Sequence, residues 1–284
     1  GNANINRLFS EQAFLKNKEF GNILDLILLK SFYFDWSIYN GSGSFTDLLT
    51  PWINHLKNIK VLTIGYLIGL ATIFGAIFTF KTLKIRSLPL FSILFISLFF
   101  LINDNFPLSP IYKFFQSHVP FFKEALRFPD NKIFNIYAFI GSIFFGFFAL
   151  FVVNYIKKTA KTKKLELGFA MLVVLLMSYY MLPAFSGNFI NKYMRVEIPK
   201  EYFSLFSYLN TQPDSVRVAN LPIQSPWGWV YYNWHKDKPS FQGAGFLYFG
   251  IKQPLLDRDF DRWSPYNESY YREMSYAIYS GNKE

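Results

Sequence analysis

The stretch "IFNIYAFIGSIFFGFFALFVVNYI", residues 133–156, contains no Asp, Glu, Lys or Arg. A helix rises 1.5 Å per residue, so about 20 residues cross a hydrocarbon core of about 30 Å. Residues 133–156 meet that length, and this decides the fold class. Three further apolar runs cover residues 61–80, 87–102 and 166–182. The first is long enough to span. The other two are short, so tilt, snorkelling or interfacial rings must help them. The competing reading is a set of buried helices in a large soluble domain. Runs this long and uncharged are rare in such cores. The expectation is a membrane protein with four transmembrane α-helices, at 61–80, 87–102, 133–156 and 166–182.

The short connections set a direction. "KTLKIR" carries Lys81, Lys84 and Arg86, and "KKTAKTKK" carries Lys157, Lys158, Lys161, Lys163 and Lys164. Neither contains an acid. Lys and Arg concentrate in short cytoplasmic loops. Two spans separate these loops, so both fit on the cytoplasmic side together. They account for most of the net charge of +10, which removes the support for a nucleic-acid partner. Residues 1–60, 103–132 and 183–284 then lie outside the cytoplasm in a multi-pass protein of the cell membrane, with the bilayer itself as a partner. The domain expectation is an outer segment 1–60 with an interfacial helix, a four-span region 61–182, and a small extracytoplasmic α/β domain at 183–284. The chain starts on Gly, shows no cleavable leader, and finishes with "SGNKE" after a helix-like run. It reads as an internal piece of a longer protein, with the α/β domain truncated. With no Cys, disulfides, thiolate metal sites and Cys nucleophiles are excluded.

The outer segments carry further patterns. Ile23, Leu24, Leu26, Ile27, Leu28 and Leu29 make a short amphipathic helix, suited to an interface, and "YNGSGS" at 39–44 is a turn or loop. In "HVPFFKEALRFPDNK", Pro120 suits a helix start and Pro129 a stop. Phe121, Ala125 and Phe128 would share one face, and the three-residue spacing makes Glu124 and Arg127 neighbours. That pair is either a surface ion pair of small weight or a place where Arg127 contacts a lipid-linked phosphate. In the tail, Pro199 opens a helix with Tyr202, Leu205, Phe206 and Leu209 on one face. "SVRVANLP" at 215–222 reads as a short strand. A last helix begins at an Asn267 N-cap and finishes at a Gly281 C-cap.

"SPWGWVYYNWH", residues 225–235, holds three of the six Trp. Trp227, Trp229 and Tyr231 alternate as one face of a strand, and Tyr232 and Trp234 share the other. They either pack against the Gly-rich "FQGAGF" at 241–246 or form a sugar-stacking surface.

The chain carries few chemical motifs. There is no GxxxxGK[ST], no GxGxxG after a strand and no HExxH, and no GxSxG elbow. His55, His118 and His235 lack metal spacing. Asp257, Asp259, Asp261 and Glu268 fall at EF-hand positions, but Arg262 stands where the loop needs Gly, and Pro265 interrupts it. A charge-paired turn fits better than metal, so no metal or cofactor is expected. The spans have no ionisable group away from their ends, which weighs against an ion-coupled pump.

Three outer motifs carry a resemblance: "NILDLILLKSFYFDW" (22–36), "PFFKEALRFPDN" (120–131) and "IPKEYFSLFSYLNTQPDSVRVANLP" (198–222). Together they resemble the later part of large bacterial multi-pass glycosyltransferases of the GT-C class, in particular arabinofuranosyltransferase-like and YfhO-like members. The phenylalanine–basic–glutamate element of that group corresponds to Phe122, Lys123 and Glu124, with Lys123 where Arg is usual. The resemblance implies transfer of a sugar from a polyprenyl-phosphate donor to a cell-envelope glycan acceptor. It also implies a catalytic carboxylate in the first outer loop, upstream of residue 1, so no catalytic residue is assigned. Glu124 and Arg127 are helpers near the lipid phosphate. Trp227, Trp229, Tyr231 and Trp234 are the possible sugar-stacking rings. A non-catalytic membrane protein with an outer recognition or assembly domain, and a transporter of lipid-linked sugars, are the alternatives.

Overall fold

Helix ends in this chain are set by caps and prolines, and the long helices follow from them. Asn22 accepts the Asp25 N–H and starts α1, Ile23–Ile27. After a 3-10 turn at Phe32–Asp35, α2 covers Thr50–Leu56. Asn58 caps α3, Ile59–Leu83, by accepting the Lys60 N–H, which satisfies one of the unpaired first-turn donors. A 3-10 turn at Lys84–Ser87 leads into α4, Leu88–Ile102, with a Pro in its first turn. Then come α5, Ser109–His118, and the single turn α6, Phe122–Ala125. The long helix α7 is Asp130–Thr159, followed by α8, Lys163–Tyr180, and α9, Leu182–Phe185. The computed structural model describes residues 18–39, 43–126, 128–160, 162–189, 191, 194–195, 197–219, 229–234, 240–243, 249–256 and 265–281.

The chain is mostly helical and divides into two compact units. The larger comprises residues 5–36 and 49–189. Two helical stretches in it are long and apolar enough to cross a membrane. One runs from Ile59 to Ile102, counting α3 and α4 through their connecting turn, and the other is α7. Alone, α4 has 15 residues, about 22 Å at 1.5 Å per residue. Helix α8 has 18 residues and opens on Lys163, Lys164 and Glu166. Of the four expected spans, two regions therefore reach full length, while α4 and α8 fall short by themselves.

Small residues bring the helices together. The buried positions of α3 are Val61, Gly65, Ala71, Gly75 and Thr79. At Gly75 an added Cβ would run into the Phe144 carbonyl oxygen of α7 and lie 3.1 Å from the Phe148 nitrogen. The two backbones touch there, as helices do when association depends on packing and not on expelling water. The Phe78 ring stacks on Phe151 with centroids 3.6 Å apart. Residue numbers rise together along this seam, so α3 and α7 are parallel. Helix α4 runs the other way, with Phe91 beside Phe144 at 5.2 Å and Leu101 and Ile102 packed with Ile133, Phe134 and Tyr137. Helix α8 begins near Lys157, which pairs with Glu166 at 3.7 Å, and finishes with Tyr180 against Gly65. The order is up, down, up, down. Turn 84–87 and the 157–164 connection share one end of the bundle, and segments 18–36, 103–129 and 181–189 share the other.

Residue Pro129 departs from its expected role. It does not stop a helix begun at Pro120. Phe121 sits at φ 60 and α6 is over by Ala125. Pro129 instead stands at the N-cap of α7. A proline disfavours helical backbone in the residue before it and suits a helix start itself. Helix α5 and the strand pair described next carry no counterpart in the sequence reading.

The smaller unit comprises residues 37–48 and 190–284, with 1–4. Strands β1, Ser37–Tyr39, and β2, Phe45–Asp47, pair antiparallel, with Ser37 opposite Asp47 and Tyr39 opposite Phe45. Helix α10 is Lys200–Asn210, opened by Pro199 as its sequence suggests, with Phe206 buried. Strand β3 is described at Val218–Ala219, starting later than Ser215, and residues 220–222 of "SVRVANLP" lie outside the described residues. Strands β4, Trp229–Tyr232, and β5, Ser240–Gly243, pair antiparallel, and β6, Leu255–Leu256, pairs parallel with β3. Gln253 Nε2 ties this strand to α10 through Leu209 O at 2.7 Å and Gln212 O at 3.2 Å. Helix α11, Pro265–Ser280, starts two residues before Asn267, with Pro265 supplying the start, as the fixed φ of proline favours. Gly281 follows it at φ 69.

The α3–α7 contact gives a direct test. Gly75→Ala is expected to destabilise by about 1–3 kcal/mol or more, since backbone cannot move aside as a side chain does. Gly146→Ala on α7 meets nothing within 4 Å and is expected to be neutral or stabilising by up to about 1 kcal/mol. Thermal unfolding of both variants in detergent checks the contrast.

Candidate functional site

The end of the bundle opposite the basic turns is built by the segment 18–36. Leu26 enters the cluster formed by Leu101 and Ile102, against Leu98, Leu108, Ile133, Phe134 and Tyr137. The peptide groups around it are held by tyrosines. Tyr180 donates to Leu28 O at 3.0 Å and Tyr137 to Leu26 O at 3.4 Å. Leu26 and Leu28 are buried, and Ile23 and Leu24 stay exposed. The amphipathic run thus spends one face on the helix ends. Gly65 allows this, because its missing Cβ leaves room for Leu28 and the Tyr180 ring.

Farther along, the 3-10 turn buries Phe32 among aromatic rings. Its ring lies 4.4 Å from Tyr33, 5.6 Å from Trp36 and 5.7 Å from Phe128. The Phe32 N–H donates to Asp130 Oδ2 at 3.3 Å across 98 residues of sequence. Asp130, in the first turn of α7, is buried. Its position is favourable, because the exposed N–H groups of a helix start attract a carboxylate. The Tyr33 hydroxyl bonds the Asn131 side chain. Burial, and then the Asp130 charge, push the Tyr33 phenol above its ordinary value.

A second polar cluster occupies the turn after α4. Asp104 takes a hydrogen bond from the Ser109 hydroxyl and pairs with Lys18 at 3.4 Å and Lys113 at 3.6 Å. Asn105 Nδ2 donates to Lys18 O at 2.8 Å. Burial works to raise the Asp104 pKa, but the Ser109 hydroxyl and the two ammonium groups outweigh it. The carboxyl is held below its ordinary value. Asp104 and Asp130 thus fasten the same N-terminal segment at two points.

The residues singled out from sequence distribute as follows. Glu124 lies on α6, and its side chain and all of Arg127 fall outside the described residues. Because α6 is over at Ala125, helical spacing does not connect the two. Trp227 also lies outside the described residues, as do Asp257, Asp259 and Asp261. Trp229 and Tyr231 occupy alternate positions of β4, paired with Gly243 and Phe241. The Trp234 ring sits 4.4 Å from Tyr232 and 5.1 Å from Tyr202 of α10. Burial, and then Tyr202, push the Tyr232 phenol up to about 12. Asp104 and Asp130 join the site without a sequence pattern that marks their partners. The Asn-Asp-Asn turn signal and the Pro-Asp helix start were available, but their partners are distant in sequence.

Two predictions follow from the anchors. Asp130→Ala leaves the Phe32 N–H buried without its acceptor and is expected to destabilise by about 1–3 kcal/mol. Asp130→Asn keeps an acceptor oxygen and should lose less by thermal unfolding. The Asp104 contribution has a pH signature. A depressed carboxyl contributes stability above its unfolded value, near 3.9, that is lost as pH falls through the lower folded value. Asp104→Asn should therefore lower the unfolding midpoint near neutral pH, and its difference from wild type should close below about pH 4.

No known protein family, curated protein or solved structure matches the chain.

Proposed function

We propose that the chain is the late, membrane-embedded part of a glycosyltransferase that moves a sugar from a polyprenyl-phosphate donor to a cell-envelope glycan outside the cytoplasm. In this reading α3, α4, α7 and α8 all cross the bilayer, with the short α4 and α8 tilted or helped by interfacial rings. The basic turns at 81–86 and 157–164 face the cytoplasm, in keeping with the preference of Lys and Arg for that side. Residues 1–60, 103–132 and 183–284 lie on the outer face, where the donor phosphate and the acceptor are found.

One observation carries the reading. Two of the motifs behind the glycosyltransferase resemblance meet in space. Phe32, from the 22–36 motif, packs on Phe128 and donates its N–H to Asp130, both from the 120–131 motif. A shared arrangement at one end of the bundle gives these separate aromatic patterns a common purpose. Arg127 lies within the second motif, where a guanidinium suits a phosphate through paired hydrogen bonds. Glu124 is the second candidate helper in the same motif. Trp227, Trp229, Tyr231 and Trp234 are the candidates for stacking on sugar rings.

The test uses the full-length protein in membranes, supplied with a polyprenyl-phosphate sugar. Transfer to a glycan acceptor is expected. Arg127→Ala should weaken donor affinity about tenfold or more, the equivalent of a charge-assisted bond of about 1.5–3 kcal/mol. Normal donor affinity in a folded Arg127→Ala protein would remove the phosphate role. Absence of any transfer by the wild type would remove the glycosyltransferase reading.

A further inference from the structure

Helix α5 has an apolar face that the bundle covers only along one edge. Tyr112 is its only fully buried residue, packed on Phe99 of α4 at 5.6 Å and on Phe122 at 5.3 Å. Ile111, Phe114 and Phe115 follow the i, i+3, i+4 spacing of one helical face; Phe115 borders the packed edge, stacked on Phe122 at 5.7 Å, and His118, seven residues after Ile111, shares the face with its ring stacked on Phe114 at 4.3 Å. They are 52%, 56% and 37% exposed. Lys113 and Ser117 lie on a third side, with Lys113 reaching Asp104 at 3.6 Å. The helix is thus divided into a packed edge, an apolar face and a polar face.

The level of α5 along the bundle identifies what meets the apolar face. Leu101 and Ile102, at the end of α4, pack beside Ile133, where the uncharged run of α7 begins. Both helices turn polar beyond that level, at Asn103–Asn105 and Asp130–Lys132. Phe115 touches Phe99 with centroids 5.7 Å apart. Phe99 stands three residues before the end of α4, which is about 4.5 Å inside the apolar boundary. Amphipathic helices lying in a membrane surface bury their apolar face about 5–10 Å into the headgroup–acyl boundary. The Phe99 level thus lies near the shallow limit of that range.

We infer that α5 is a half-immersed helix on the flank of α4, with Ile111, Phe114 and Phe115 in the acyl chains of the leaflet opposite the basic turns. The occupant is lipid. The inference rests on the membrane reading of the bundle given above, and is independent of the sugar-transfer chemistry. Lys113 and Ser117 then face the headgroups and water, with Asp104 holding Lys113 at the polar side.

The absence of Cys in the chain makes single-site labelling direct. Nitroxide labels are placed on Ile111→Cys, Phe114→Cys and Ser117→Cys, and on Leu70→Cys and Phe139→Cys, two exposed positions within the spans. The variants are studied in nanodiscs of phosphatidylethanolamine and phosphatidylglycerol, with relaxation by oxygen compared to relaxation by a water-soluble nickel chelate. The expected result is an oxygen-to-nickel ratio several-fold higher at 111 and 114 than at 117, approaching the values at 70 and 139. Nickel access at 111 and 114 equal to that at 117, with 70 and 139 still lipid-exposed, would overturn the α5 inference alone. Labels at 111 and 114 shielded from both reagents would also overturn it, by showing a protein cover. Nickel access at 70 and 139 would overturn the membrane reading and the inference with it. Because 111 and 114 are separate variants at exposed sites, misfolding of one leaves the other to decide.

Discussion

The backbone contact between Gly75 and Phe144 is the constraint on which the larger unit depends. It sets how closely α3 and α7 approach, and that approach fixes the register between them. With α3 and α7 parallel, Thr72 lies near Gly141 and Phe78 stacks on Phe151. The antiparallel α4 then has a groove to fill, and Phe91 enters it beside Phe144. A larger residue at 75 would push the helices apart at the point where every other contact takes its position. Dispersion contacts fall off steeply with distance, so a gap of even an ångström loses much of their strength.

The end opposite the basic turns follows from that register. It aligns the Tyr137 and Tyr180 hydroxyls, on two different helices, with the last carbonyls of α1, at Leu26 and Leu28. It also leaves the α7 start and the turn after α4 free to hold the same segment through Asp130 and Asp104. Buried peptide groups need partners, and here helix-borne side chains supply them. The segment 18–36 is therefore part of the bundle's architecture. It brings the aromatic motif around Phe32 against the one around Phe128, which gives the proposed glycosyltransferase reading a spatial focus at one end of the helices.

Much of this was legible in the residues. The apolar runs predicted α3, α4, α7 and α8 within a few positions, because length and lack of charge are local properties. Pro199 opened α10 and Gly281 followed α11, since caps act through their own backbone angles. The 120–129 helix was misread for a related reason. Its apolar spacing suggested two turns, but Phe121 left the helical region and Pro129 favoured the helix after it. Helix α5 has a weak local signal, because its apolar face is narrow and flanked by Pro, Lys and Ser. Asp104 and Asp130 stand at local turn and helix-start signals, but their partners come from segments far along the chain.

The sequence by itself determined which segments are helical and apolar and where positive charge collects between them. These depend on neighbours within a few residues. Only the tertiary structure decided that α3 and α7 run parallel through a glycine contact, that one N-terminal segment ties the helix ends together, and that α5 presents a partly covered apolar face at the edge of the apolar zone. Each of these depends on groups brought together from distant parts of the chain, and no local pattern encodes the distance between them.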